Sequence, residues 1–390
     1  MASIKSDIFI RLDSPETIPS ENSFLIQGWI ISHSEITNMW ISGNSIVQLE
    51  FVERPDVVDA YPSYSYVNGF QAMADLSVLK DNTIPFFYLS KGKEFSYTVV
   101  LRDLYPLSEE KKKEKLDRIA PYLACPHCGA SGDRFANKKL LFMQNHACAQ
   151  CGRVFQYNGK NFNFLSEKIK LKYKIIDTEN VSSNCYDADP IAVSLIEKKS
   201  EGLILDCGAG KRLVDYPNVI NFEIVDYPST DVIGIGERLP FQDNTFDAAF
   251  SFTVLEHVTD PFSCAKELVR VLKKKGTLYC IVPFLQPTHG YPNHYYNMTT
   301  QGLQNIFDRD LEIIEVGVPQ SGIPIWTLSW FLNSYSSGLD DRTRQEFLNM
   351  RVGDFIVSPN HYLQKDFVMK LPKEKQFELA CTTMIVGNKK

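Results

Sequence analysis

Four cysteines stand in two pairs, Cys125-Pro126-His127-Cys128-Gly129 and Cys148-Ala149-Gln150-Cys151-Gly152, with nineteen residues between the pairs. Two residues between paired thiols let both grip one ion from a single knuckle, and two knuckles complete a tetrahedral four-sulfur zinc site. Each knuckle ends in glycine, which turns the backbone through φ > 0 so that amide hydrogens face the sulfurs. Four protein ligands leave no open position, so the expected ion is structural. His127, inside the first pair, is expected to face solvent.

Disulfides or a redox dithiol are the alternatives for these cysteines, and compartment separates them. Met1 to Asp13 carries Lys5, Asp7, Arg11 and Asp13 and lacks an apolar core long enough for a signal peptide. The most apolar stretch, Ile323 to Leu332, is half the length of a membrane span. A cytosolic (cytoplasmic) chain is expected, with nine cysteines divided into four zinc thiolates and reduced thiols at positions 185, 207, 264, 280 and 381.

A second cluster is Leu203-Ile204-Leu205-Asp206-Cys207-Gly208-Ala209-Gly210, which reads as a strand buried on both faces and ending in a glycine loop. Such a loop lets the backbone approach a ligand closely, or is only a tight strand-to-helix turn. Lys211 and Arg212 follow where a dinucleotide fold wants a third glycine, which disfavours a pyrophosphate site. The third cluster is the histidines: His257 after Leu255-Glu256, and His289 and His294 in the His-, Tyr-, Asn- and Pro-rich run Pro283 to Asn297.

The elements that must position these groups divide a chain of 390 residues, 44% apolar, into three parts. Phe24 to Ile31, Ile36 to Ser42, Ser45 to Val52 and Phe95 to Leu104 are β-branched and aromatic runs, with Gly43-Asn44 as a tight hairpin link. Short antiparallel strands at this spacing predict a β-sandwich over residues 1–105. Ser108-Glu109-Glu110-Lys111-Lys112-Lys113-Glu114-Lys115 starts a solvated linker helix over 106–119, with acids before bases as the helix dipole favours. A zinc ribbon over 120–168 leads into an α/β unit over 169–390. There Leu311 to Val316 is expected as the sixth strand and Glu378 to Val386 as the last. An insertion near 319–376 carries Trp326 and Trp330 on one helix face, either as a substrate cap or as an oligomer interface.

The series Val219-Ile220-Asn221-Phe222-Glu223, Glu237-Arg238-Leu239-Pro240-Phe241, Phe246-Asp247-Ala248-Ala249-Phe250-Ser251, Val254-Leu255-Glu256-His257, Arg270-Val271-Leu272-Lys273 and Gly276-Thr277-Leu278 follows the glycine loop. In that order it resembles the class I S-adenosylmethionine (SAM) methyltransferases of the "LPF…FD…LEH…RVLKPGG" group, over residues 185–310. The resemblance implies a Rossmann-like doubly wound sheet with SAM across the carboxyl ends of its first three strands. Asp206, Gly208 and Gly210 would border its methionine end, and Gly236 and Glu237 its adenine. Glu223 would accept from both ribose hydroxyls, as an acceptor-only carboxylate suits a diol; Asp226 is the rival by spacing. Ile235 stands where the family has an aspartate, and Lys273-Lys274-Lys275-Gly276 has lost the proline and a glycine of the turn.

The surroundings of the cysteines, Tyr122 to Pro126 and Phe155 to Phe162, resemble the zinc ribbons related to the activator subunit of some methyltransferases. Gly28-Trp29, Arg54-Pro55-Asp56-Val57 and Gly69-Phe70 resemble a β-sandwich found beside bacterial glycosyltransferases and other cell-surface polysaccharide enzymes. The loop Pro283 to Asn297 resembles that of methyltransferases from surface-polysaccharide clusters.

Together these imply a multidomain SAM-dependent methyltransferase that O-methylates a saccharide or cell-surface glycan precursor. Transfer to a hydroxyl needs a base, for which His289 is the first choice, His257 the second and His294 the third. Glu256 orients a histidine or is a surface acid, and the five-residue offset of His289 and His294 is not diagnostic of a metal. Residues 106–168 carry 11 Lys and Arg against 6 Asp and Glu on a chain of net charge −6. That basic ribbon fits docking on its own acidic neighbours or, as the lesser expectation, methylation of RNA or protein through it. A non-catalytic SAM-binding scaffold is the third reading.

Overall fold

The computed structural model describes residues 8–14, 23–42, 46–61, 64–79, 83–101, 103–104, 107–136, 141–173, 175, 189–212, 214–290 and 293–381. The hairpin link Gly43-Asn44 and Cys185 lie outside them.

Eight strands open the chain: β1 (Ile8–Ser14), β2 (Ser23–Ser32), β3 (Ile36–Ser42), β4 (Ile46–Gln48), β5 (Glu50–Val52), β6 (Tyr66–Asp75), β7 (Thr83–Ser90) and β8 (Lys93–Val100). They make two antiparallel four-stranded sheets, β1-β2-β6-β5 and β4-β3-β7-β8. Inward residues of both sheets, among them Ile10, Ile26, Ile30 and Phe70 of one and Met39, Ile41, Ile84 and Phe86 of the other, share one buried cluster. The three sequence landmarks of this region meet in space. Gly28 pairs with Phe70 and Trp29 with Gly69 across β2 and β6. A Cβ on Gly28 would lie 2.1 Å from the Arg11 carbonyl oxygen, and one on Gly69 2.6 Å from Arg54 Cγ. Arg54 in turn grips Asp56 with two hydrogen bonds of 2.8 Å. Close packing accounts for all three.

The helix α1 (Pro55–Ala60) and β9 (Asp103–Leu104) precede α2 (Glu109–Ile119), the linker helix. Ser108 caps α2 by accepting from the Lys111 amide, as its sequence predicts. The charge run is solvated only in part, however: Glu109, Glu110, Lys113 and Glu114 are exposed, but two lysines are not. Lys112 and Lys115 are buried and pair with Asp231 at 2.6 and 3.0 Å, and Lys115 also pairs with Asp215. Two ammonium groups and two carboxylates make a neutral quartet, which is how four charges are tolerated in the interior.

The remaining strands are β10 (Asn145–Ala147), β11 (Val154–Tyr157), β12 (Phe162–Asn163), β13 (Ile204–Cys207), β14 (Val214–Asp215), β15 (Val219–Glu223), β16 (Val232–Ile233), β17 (Phe246–Phe252) and β18 (Leu272–Ile281). Apart from β14, which pairs with β9, they form one eight-stranded sheet of order β10-β11-β12-β16-β15-β13-β17-β18. The ribbon hairpin is thus the edge of the α/β sheet: β12 runs parallel to β16, with Phe162 opposite Val232. Phe135, Phe155, Phe162 and Phe164 of the ribbon and Leu205, Phe222 and Phe241 of the α/β unit belong to one core. The basic ribbon docks on its own chain. Strand order reverses between β13 and β17, which opens a crevice at their carboxyl ends.

Helices α3 (Glu167–Tyr173), α4 (Pro190–Lys198), α5 (Pro261–Val271) and α6 (Thr300–Phe307) pack around this sheet, and α7 (Pro324–Ser337), α8 (Asp341–Leu348), α9 (Asp366–Met369) and α10 (Lys373–Glu378) follow. One strand expectation fails, and another lies mostly outside the described residues. Leu311 to Val316 forms no strand: its backbone finds no ladder partner among the described residues, and Ile313, Ile314 and Val316 lie exposed. Glu378 ends α10, and residues 382–386 of the expected last strand lie outside the described residues. Among the described residues no helix is long and apolar enough to cross a membrane.

Asp231→Asn leaves two buried ammonium groups facing one carboxylate, and is expected to destabilise the protein by about 3–5 kcal/mol in urea unfolding. Burial opposes the charge on Asp231, but Lys112 and Lys115 outweigh it and hold the carboxyl below its usual range. Its contribution is therefore complete above the unfolded-state value of about 4 and lost as pH falls through the lowered folded value. Asp231→Asn should flatten that acid limb of the stability profile.

Candidate active site and metal centre

The four cysteines converge. Cys125 and Cys151 Sγ are 3.7 Å apart, as are Cys128 and Cys148 Sγ. A disulfide needs about 2.05 Å, whereas a tetrahedral ion with Zn–S bonds of about 2.3 Å sets its sulfurs about 3.8 Å apart. The two knuckles are alike: Gly129 and Gly152 have φ of +73° and +70°, and donate 2.8 Å hydrogen bonds to the Cys125 and Cys148 carbonyls. His127 is exposed. The donor set fits zinc.

The glycine loop follows β13 into the crevice, with Gly208 and Gly210 at φ +76° and +64°. A Cβ on Gly208 would meet Val254 Cγ2 at 2.4 Å, so the loop lies directly against the turn after β17. Asp206 is buried and accepts from Arg212 Nη2 and Nε at 2.7 and 3.0 Å. Its observed task is to fold the loop back on itself. Glu223, the last residue of β15, accepts from the Gly210 amide at 2.7 Å through Oε2 and from the Ile224 amide at 2.6 Å through Oε1. Burial nonetheless raises its pKa. The carboxylate, acceptor-only with about four lone-pair positions, keeps capacity for a ribose hydroxyl.

Asp226, the rival acid, is exposed and accepts from Asn161 Nδ2 at 2.6 Å, which ties it to the ribbon. A pocket of about 330 Å³ adjoins this edge, lined by Ile224, Asp226 and Ile233 and, from the ribbon side, Asn163, Leu165 and Lys170. The ribbon's part in this wall was not legible in the sequence, because it follows from the β12–β16 pairing. A Cβ on Gly236 would strike Cys264 Sγ at 2.8 Å, so this glycine is a packing requirement. Glu237 accepts from Thr259 Oγ1 at 3.2 Å and joins two loops of the crevice. Loop and acid together fit SAM.

Across the crevice, His257, His289 and His294 cluster with ring centroids 4.6 to 5.5 Å apart. The His-rich loop is hung on Glu256, whose carbonyl accepts from the Tyr295 amide at 2.7 Å. His257 Nδ1 lies 2.6 Å from the Asn293 carbonyl and His289 Nδ1 2.8 Å from the Pro287 carbonyl. A carbonyl only accepts, so both rings carry the proton on Nδ1 and leave an Nε2 lone pair. His294 differs: Nδ1 accepts from the His289 amide and Nε2 donates to Asn297 Oδ1. It orders the loop. Gly290, at φ +87°, brings the chain so close to His257 that a Cβ there would lie 2.3 Å from its Cε1.

Glu256 is a residue that sequence reasoning undervalued. It is fully buried rather than a surface acid, and neither carboxyl oxygen has a hydrogen-bond partner among the described residues. Burial pushes its pKa up to about 8 and that of His257 down to about 4. His257 Nε2 lies 3.7 Å from its Oε1. The insertion reaches the same place: Trp330 of α7 lies 4.9 Å from the His289 ring, and the Thr288 amide donates to the Glu378 carbonyl at 2.8 Å.

Residues 214–280 match the methyltransferase-domain family. Cycloartenol-C-24-methyltransferase 1 of Oryza sativa is 39% identical over 57 residues, 15% of this chain and 16% of that protein. An uncharacterised protein of Methanocaldococcus jannaschii is 34% identical over 97 residues, 22% of this chain and 43% of its own. The chain thus spans less than half the length of these curated relatives. Among solved structures, phosphoethanolamine N-methyltransferase 2 of Haemonchus contortus with S-adenosyl-L-methionine is 14% identical over 82% of this chain and 63% of its own, at a TM-score of 0.26. The YcgJ protein of Bacillus subtilis is 18% identical over 38% of this chain and 84% of its own, at 0.25. Likenesses this weak carry none of the reading below. The family match runs from β14 into β18 and takes in Glu223, Glu256 and His257, while the glycine loop precedes it and His289 and His294 follow it.

Proposed function

We propose that this chain is a SAM-dependent methyltransferase that methylates a hydroxyl of a saccharide or glycan precursor, with a structural zinc on Cys125, Cys128, Cys148 and Cys151. The observation that carries the reading is the crevice itself: a glycine loop braced by Glu223 on one side and a polar histidine cluster on the other, with Glu223, Glu256 and His257 inside the segment of the methyltransferase-domain match. Bound SAM supplies an electrophilic methyl group on a sulfonium. The chain supplies position, through Gly208, Gly210 and Glu223, with Gly236 and Glu237 toward the adenine. Deprotonation of the acceptor falls to the histidine cluster, where the Nε2 lone pairs of His289 and His257 point away from their carbonyl partners. Support for a saccharide comes from the exposed rings of Tyr295, Tyr296 and Trp330 beside that cluster, since sugars lay their apolar faces on aromatic rings and hydrogen-bond at their edges.

Labelled SAM incubated with a panel of glycans and sugar nucleotides is expected to place its methyl group on a sugar oxygen. Label on RNA or protein instead would move the reading to docking through the basic ribbon, of which Lys138 and Lys139 lie outside the described residues. Binding without transfer to any acceptor would favour a scaffold.

Calorimetry is expected to show SAM binding weakened by about 1–3 kcal/mol in Glu223→Ala and unchanged in Asp226→Ala. Asp206→Ala removes two hydrogen bonds from the buried Arg212 and is expected to lower stability first. Because ribbon and α/β unit share a core, stripping the zinc with a chelator is expected to lower SAM affinity as well as unfold the ribbon. SAM affinity that survives chelation would show the pocket wall to be independent of the metal.

A further inference from the structure

The crevice holds a group that methyl transfer does not explain. Glu256 is wholly buried, yet neither of its oxygens is hydrogen-bonded among the described residues. A buried carboxyl left so keeps its full desolvation penalty, and such an exception calls for a missing partner. Beside it stand two imidazoles whose Nδ1–H groups are committed to backbone carbonyls. That is the arrangement by which proteins fix a metal-ligating histidine, since it sets the tautomer and turns the Nε2 lone pair toward the ion.

We propose that Glu256, His257 and His289 form a second metal site, of two imidazoles and one carboxylate, for a first-row divalent cation, with positions left open for an oxygen ligand. The three side chains each offer a ligand atom within 4.8 Å of the others. Bonds of about 2.0–2.2 Å set ligand atoms about 3.0–3.6 Å apart. Closing the difference takes side-chain rotations on the order of 1 Å, which the half-buried His289 ring can make. His294 is not a ligand, because both its nitrogens are engaged; it holds the His289 backbone instead. Gly290 serves the site by letting the loop press against the His257 ring. The donor set of nitrogen and oxygen is unlike the four-thiolate centre of the ribbon, so the two sites select differently: Mn²⁺ suits this one and has little affinity for thiolates.

The site's existence does not rest on the methyltransferase reading, but its role does. Given a hydroxyl acceptor, an ion held here would lower the pKa of the hydroxyl so that its proton leaves to solvent as the oxygen takes the methyl group, and His257 and His289 would act as ligands instead of bases.

The full chain carrying one zinc per chain, titrated with Mn²⁺ without SAM or acceptor, tests the assignment, since excess zinc would itself fill a site of two imidazoles and a carboxylate. Electron paramagnetic resonance is expected to show the free-ion signal lost up to one Mn²⁺ per chain, and spin-echo modulation to show coupling to two imidazole nitrogens. Glu256→Gln, His257→Ala and His289→Ala are each expected to weaken binding at least tenfold, while His127→Ala, at the exposed histidine, leaves it unchanged. Mn²⁺ that stays free in the wild-type protein, or binds without nitrogen coupling, overturns the proposal, and so does equal binding by all variants. The nitrogen coupling of the wild-type protein decides the matter even if a variant fails to fold. SAM binding in the absence of any Mn²⁺ site would refute the metal centre and leave the methyltransferase reading standing.

Discussion

Asp231 is the residue on which the three parts of the α/β half depend. Its carboxylate binds Lys112 and Lys115 of the linker helix and accepts from the Asn221 amide of β15 at 2.8 Å, while its carbonyl accepts from the Phe162 amide of the ribbon at 3.1 Å. One buried side chain and its own peptide unit therefore join linker, ribbon and sheet. An uncompensated charge in that position is so costly that the quartet forms as a whole or not at all. This makes it a device for specifying one arrangement of these parts rather than a source of net stability.

From that anchor the short strand β16 takes β12 on one edge and β15 on the other, and the ribbon becomes part of the wall beside Glu223. The Leu239-Pro240-Phe241 segment is held from two sides. Arg270 donates to the Leu239 and Phe241 carbonyls at 3.1 and 2.8 Å, and the Ala124 amide of the ribbon donates to the Pro240 carbonyl at 3.0 Å. Residues that look like a family signature in sequence thus serve here as backbone clamps. The far wall of the crevice is built differently, from a loop hung on Glu256 and touched by Trp330 of the insertion. A rigid wall for one ligand and a looped wall for the other is the division expected where one partner is constant and the other is selected.

The features read correctly from sequence are those whose physics is local. Paired thiols two residues apart, a glycine loop after an apolar strand and Ser108 at a helix start each act within a few residues, so spacing alone reveals them. Lys112 and Lys115 were misread because a charge run carries no sign of partners a hundred or more residues away. Glu256 was undervalued for a similar reason: burial is a property of what packs around a residue. The aliphatic run Leu311 to Val316 has strand composition but no partner among the described residues, and composition cannot supply a ladder.

By itself, then, the sequence determined the four-thiol geometry, the glycine loop, the acid at the end of β15 and the pool of histidines, because type and spacing suffice for chemistry carried by neighbours. Tertiary structure alone decided that the ribbon is an edge of the α/β sheet, that Glu256 is buried beside two imidazoles with free lone pairs, and that His294 is spoken for. Those outcomes depend on contacts between residues distant in the chain. Desolvation and hydrogen-bond satisfaction, which set the behaviour of each titratable group, exist only once those contacts have formed.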